Sequence, residues 1–224
     1  MTRLRTVVAL AVIMPSWMLA RLKRETQQHS TGSDADRMQP FTGPARAETY
    51  TSYLCRIWGF EAPVEAGFAR TVGLADVIDL RGRGHMKLLR ADLLALGISS
   101  PSELPYCRAI PTFASVAEAL GWMYVIEHNA LFNGQLRRHL EKLLPKQLAS
   151  AGSYLSNGER AIGSRLSELG LAFDRFACTP DLAKQIVDAA NLGFRRQRLW
   201  FAQVLPSDDR RPPTRLGAAD VPAR

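Results

Sequence analysis

The sequence is poor in the residues that usually announce chemistry. Its 224 residues hold three cysteines and four histidines. Cys55, Cys107 and Cys178 lie far apart, form no CxxC pair and are odd in number. That excludes a disulfide framework and a cysteine zinc site, and reduced thiols in a reducing compartment are expected. There is no HExxH, no glycine-rich phosphate loop and no Ser-His-Asp pattern. Strand-like alternation never runs beyond a few residues, and no Asn-Gly hairpin signal sits between apolar runs, so a sheet-built fold is excluded. A long apolar run is missing too. Arg3 and Arg5 precede TVVALAVIMPSWMLA, which resembles a signal peptide but is short for a membrane span and is interrupted by Pro15. Cleavage near Ala20 would leave the following helix almost no lead-in, so no stable membrane span and a cytoplasmic location are expected.

Positive charge is the one excess. The formal net charge is +8, gathered in RGRGHMKLLR (81–90), the Arg137-Arg138 pair and FRRQR (194–198). Nucleic-acid binding would set such patches beside aromatic or motif residues, which are missing here, so nucleic acid is disfavoured as a partner. Solvated basic faces and recognition of a small anionic ligand fit better.

What is present is helical periodicity. Tyr50, Tyr53, Leu54, Ile57 and Trp58 recur at steps of three and four and share one helix face. Ser115 and Glu118 have the spacing of a capping box within a run from about Pro111. Val116, Leu120, Met123 and Tyr124 follow as a stripe, and that helix reaches about Leu144. Thr179-Pro180-Asp181 is a helix start, with Thr179 as N-cap and Pro180 at the first helical position. The segment GSYLSNGERAIGSRLSELGLAF is expected to be helical in its second half, after a looser start marked by Gly152 and Gly158. The expected organisation is an apolar extension (1–18), one all-α domain (19–205) and a disordered tail rich in Pro, Arg and Asp (206–224).

Three segments belong together: LKRETQQHS (22–30), GWMYVIEHNALFNGQLRRHL (121–140), and the run from GSYLSNGERAIGSRL to the last helix. They resemble, in order and separation, the haem oxygenase family and its bacterial, biliverdin-producing members. LKRETQQHS is similar to the family's opening helix, where Leu-Lys/Arg-x-x-Thr is followed, four residues after the Thr, by the histidine that binds haem iron. The 121–140 segment is similar to the family's distal helix, YVxEGSxLGGxxIxxHL, and the third to its GYGxxTGxxW stretch. The matching skeleton is Leu22, Lys23, Thr26, Tyr124, Val125, Glu127, Leu131, His139 and Leu140. The resemblance implies a single helical bundle holding haem between two helices. It also implies cleavage of haem with O2 to biliverdin, iron and CO, with haem as substrate and cofactor. An electron donor, and a link to a biliverdin-binding photoreceptor, are the partners it implies. Lys23, Arg195 and Arg198 are candidates for the haem carboxylates.

Both haem-facing elements depart from the pattern. The ligand position is Ser30, and His29, its neighbour, is the remaining candidate for the iron. Successive helical residues point about 100° apart, so His29 cannot stand in for Ser30 without a rotation of the helix. On the distal side His128 replaces a glycine and Phe132-Asn133 replaces the glycine pair, with Gly134 displaced by one. Glycine there lets backbone approach the porphyrin. Two readings stay open: a slip that restores His29 and Gly134, or a phenyl ring filling an unused pocket. The first gives a haem oxygenase with Phe132, Asn133 and Gly134 in the distal catalytic region. The second gives a protein of the same fold that does not cleave haem and serves as a binding or regulatory module. Of the other candidates, His128 lacks a second ligand at metal spacing, His139 is expected to be exposed and His85 to lie in a loop. For Glu127, capping, pairing with an arginine and a pocket role all remain open.

Overall fold

The computed structural model describes residues 16–203 and, within them, every side chain except those of residues 158–162. The apolar segment before Ser16 and the tail after Gln203 lie outside the described residues. Among the described residues all regular structure is helical: α1 (Trp17–Met38), α2 (Ala47–Arg70), α3 (Leu74–Val77), α4 (Met86–Ala95), α5 (Val116–Leu143), α6 (Pro145–Ala151), α7 (Ser153–Phe176) and α8 (Pro180–Ala202). None of these helices is long and apolar enough to cross a membrane. The first helix starts inside the stretch expected to be extension, because Ser16 caps it through Leu19 N (3.1 Å) and Met18 is fully buried.

The caps are as the sequence suggests at α5 and α8. Ser115 accepts from Glu118 N (3.2 Å) and Thr179 from Leu182 N (3.3 Å). The start of α7 is a correction, since the helix is regular from Ser153. Its leading amides, which have no partner within the helix, are taken by Asp92 of α4, at 3.1 Å from Ser153 N and 2.8 Å from Tyr154 N. Glu65 of α2 does the same for α4, accepting from His85 N (3.0 Å) and Met86 N (3.4 Å).

Pro63 lies inside α2 and has no N–H to offer, which frees the Gly59 carbonyl one turn earlier. Cys107 N takes that place at 2.8 Å, docking the 105–107 segment on the helix. Gly59 is required there, since a Cβ would strike the Pro105 carbonyl. At the centre, α5 packs on α8 and α7. Gly121 brings α5 against the α8 backbone so closely that a Cβ would fall on the Ile186 carbonyl.

Two apolar clusters fill the bundle. One gathers Met18, Leu22, Phe60, Trp122, Val125, Phe173 and Phe194; the other gathers Phe41, Tyr50, Leu54, Phe132, Leu136 and Leu140. The helices cross from one to the other through a level of buried polar side chains.

Candidate functional site

Helix α1 shows how that polar level arises. Its buried stripe is Met18, Leu22, Thr26, Ser30, Ser33 and Arg37. Steps of three and four residues keep all six on one face, but only the first two are apolar. The second half of α1 therefore meets its neighbours with hydroxyls and a guanidinium.

Arg37 is fully buried. It donates to Asn129 Oδ1 (3.2 Å) and Asn133 Oδ1 (2.6 Å) on α5 and to Tyr53 OH (3.0 Å) on α2. Asn129 passes the network on, donating to Glu61 Oε1 (3.0 Å) and accepting from Gln197 Nε2 (3.1 Å). Ser33 donates to Gln197 Oε1 (3.1 Å), and Tyr154 OH donates to Glu61 Oε2 (2.8 Å). Burial works against the charge of Arg37, yet Tyr53, Tyr154, Glu61 and Asp34 hold its pKa above the ordinary arginine value. Burial pushes Glu61 up, against the pull of Arg37 and the bonds from Tyr154 and Asn129. The pair is a buried cation and anion joined through an amide. Such groups are tolerated in a low-dielectric interior when most of their polar atoms are bonded, as both terminal nitrogens of Arg37 and both oxygens of Glu61 are here. One turn back, the α1–α5 seam is closed again by Asp34, whose carboxylate oxygens lie 3.0 and 3.2 Å from His128 Nε2.

The residues expected to serve haem fall around this seam without forming one site. His29 is half-buried, and burial followed by Arg195 and Arg198 of α8 keeps its pKa below the ordinary histidine value. It faces α8 cations. Ser30 is buried and spends its hydroxyl on the Gln27 carbonyl of its own helix (3.2 Å). Phe132 is buried in the second cluster, with the Arg37 guanidinium 4.7 Å above its ring. Asn133 is the Arg37 acceptor, and Gly134 beside it is buried. Lys23 and Arg195 are exposed, while Arg198 donates to Asp36 (2.8 Å). No group of three His, Cys, Asp or Glu side chains is placed to hold a metal among the described residues.

His139 is exposed, with Nε2 3.1 Å from the Phe41 carbonyl oxygen. Glu127 is buried, and of its open roles the structure takes pairing. Arg83 donates to its Oε1 (2.6 Å), and Arg165 Nε lies 3.2 Å from its Oε2, close enough for an ion pair but out of line for a hydrogen bond. Arg83 also donates to Glu168 (3.0 Å), strapping the loop before α4 to α5 and α7.

His85 lies in that loop, as its sequence context suggests, but is only 5% exposed. Burial, then Arg165 and Arg83, lower its pKa to about 4. The unfolded chain takes up that proton near pH 6.5 and the folded chain only near 4, so this contribution to stability is complete above 6.5 and is lost as pH falls towards 4. The loss is about 3 kcal/mol from the size of the shift. Guanidinium denaturation at pH 7.5 and 4.5 should show it as a smaller pH effect in His85→Gln than in the parent. Equal pH effects in the two proteins would contradict a buried neutral His85.

Tyr53 is marked in the sequence only as part of an apolar helix face, and Arg37, Glu61, Asn129, Tyr154 and Gln197 carry no mark of motif or spacing. The one signal in the sequence is register: Arg37 lies seven residues beyond Ser30, on the same helical face. No family model matches the sequence, and no curated protein does either.

Proposed function

We propose that this chain is a haem-oxygenase-like bundle that does not cleave haem and serves as a non-catalytic binding or regulatory module. One observation carries the reading. The two helices that the resemblance would place on opposite faces of haem are hydrogen-bonded to each other, through Arg37 to Asn129 and Asn133 and through Asp34 to His128. A porphyrin between α1 and α5 would have to part those bonds and displace Phe132, and it would find Ser30 where an imidazole is needed. A serine hydroxyl is a poor ligand for haem iron, whose chemistry the axial side chain sets. On this reading the working partner is neither an electron donor nor an acceptor of biliverdin.

Haem titration of the purified protein, followed by Soret absorbance, tests it. The expected result is no saturable band at stoichiometric haem. A 1:1 band that disappears in His29→Ala would overturn the proposal and restore the haem-cleaving enzyme, with His29 as its iron ligand.

A further inference from the structure

The start of α1, far from its Arg37 end, meets the end of α7. Ser16 donates to Asp174 Oδ1 (2.8 Å), and Met18 N donates to the same oxygen (3.1 Å). Gly170 lets the two helices close up, since a Cβ there would fall 2.7 Å from Ser16 Cβ. The residues on either side of Trp17 are thus fastened beside Leu171, yet Trp17 is 47% and Leu171 53% exposed. Exposed apolar side chains scattered singly are ordinary, whereas a contiguous apolar surface with a charged rim marks a contact site.

Cations rim this corner. Arg21 and Arg24 follow Trp17 at steps of four and seven residues, on the same helix face. On α7, Arg175 donates back to the Leu171 carbonyl (3.1 Å). Lys23 and Arg175 are exposed, and the Arg24 side chain is 74% exposed. Two carboxylates stand against these four cations. Glu25 is shared by Arg21 and Arg24, and Asp174 is spent on the start of α1. The sequence leading into the corner continues both features, with Arg3 and Arg5 and then nine uncharged residues from Thr6 to Met14. A bilayer span takes about 20 apolar residues, and Met18, fully buried in the bundle, cannot be lent to one.

We infer that this corner binds the surface of an anionic lipid bilayer. Trp17 and Leu171 enter the headgroup boundary together with residues 6–14, while Arg21, Lys23, Arg24 and Arg175, with Arg3 and Arg5, meet the lipid phosphates. Tryptophan suits that depth, having an apolar body and a single N–H donor. Apolar area and positive charge, each weak alone, together hold a protein on a membrane that it does not span. This surface is separate from the α1–α5 seam, and its role stands whether or not haem binds.

Flotation of the full chain with vesicles provides the test, comparing phosphatidylcholine alone with phosphatidylcholine mixed with phosphatidylglycerol. Saturable binding to the mixed vesicles, weakening as salt rises and far weaker on phosphatidylcholine alone, is the expected result. Trp17→Ser combined with Leu171→Ser should weaken it by about tenfold or more, the scale of one large apolar side chain returned to water. Should that variant fail to fold, Arg24→Gln combined with Arg175→Gln decides, since it should weaken binding to the mixed vesicles alone. Leu199→Ser removes an exposed leucine at the other end of α1, where Arg198 lies against Gly32, and should change nothing. Mixed-vesicle binding that survives the double apolar change would belong to residues 6–14 alone and overturn the proposal. Equal binding to the two vesicles, or none to either, would also overturn it. A dimer dissolved by the same double change would then give this face to a second copy of the chain.

Discussion

Arg37→Met is expected to lower the unfolding free energy by about 3–5 kcal/mol, the range for breaking a buried charged network by removing one partner. The methionine would occupy part of the volume but bond nothing. Asn133 and Tyr53 would lose the guanidinium they bond, and Glu61 would remain in the interior without its cation. Guanidinium denaturation followed by far-UV circular dichroism measures the loss. Arg37→Met combined with Glu61→Met should cost less than the two single changes added together, because the pair then leaves no lone charge behind. A loss below about 1 kcal/mol for Arg37→Met would be that of an ordinary hydrogen bond, and the α1–α5 seam would not depend on this side chain.

Ser30→His alone is expected to give no Soret band, since an imidazole placed at the ligand position faces a closed seam. The triple change Ser30→His, Phe132→Gly, Asn133→Gly should open it. Removing the buried phenyl costs about 3–5 kcal/mol and each helical glycine about 1 kcal/mol more. Asn133→Gly also removes the nearest acceptor of Arg37, at 2.6 Å, and so loosens the bond that joins α1 to α5. Haem affinity in the triple variant should exceed the sum of the separate effects, because ligand and space serve one bound molecule. Haem should also raise its denaturation midpoint, as any ligand specific for the folded state does. Additive affinities, or tight haem binding by the unmodified chain, would mean that Phe132 blocks nothing and that the enzyme reading stands.

The fold is readable in the sequence where the determinants are local. Ser115 with Glu118, and Thr179 with Pro180, mark helix starts within four residues of chain. The start of α7 is not readable, because its cap, Asp92, is 61 residues away from Ser153. At the candidate site, Ser30, Phe132 and Asn133 stand out as departures from a pattern. Arg37, Glu61 and Asn129 do not, since a polar residue on a helix ordinarily signals a wet face, and only tertiary packing decides otherwise. Glu127 shows the same limit. Its neighbours along the chain leave capping, pairing and a pocket role open, and the partners that decide for pairing, Arg83 and Arg165, come from other parts of the sequence.

The polar level between the two apolar clusters also restricts how the helices slide. Met18 and Leu22, the apolar part of the buried α1 stripe, would still meet apolar side chains if α1 moved one turn, about 5.4 Å, along its neighbours. Arg37 would not find its partners. Its three acceptors, on α2 and on two successive turns of α5, coincide at one axial position, and Ser33 reaches Gln197 of α8 only there. Any displaced alignment strands a guanidinium and two amides in the interior. A single buried polar residue is known to fix alignment between packed helices in this way. In this bundle the network of Arg37 and Asn129 acts as a vernier, fixing the position of α1 along α2, α5 and α8 where its own two apolar contacts would not.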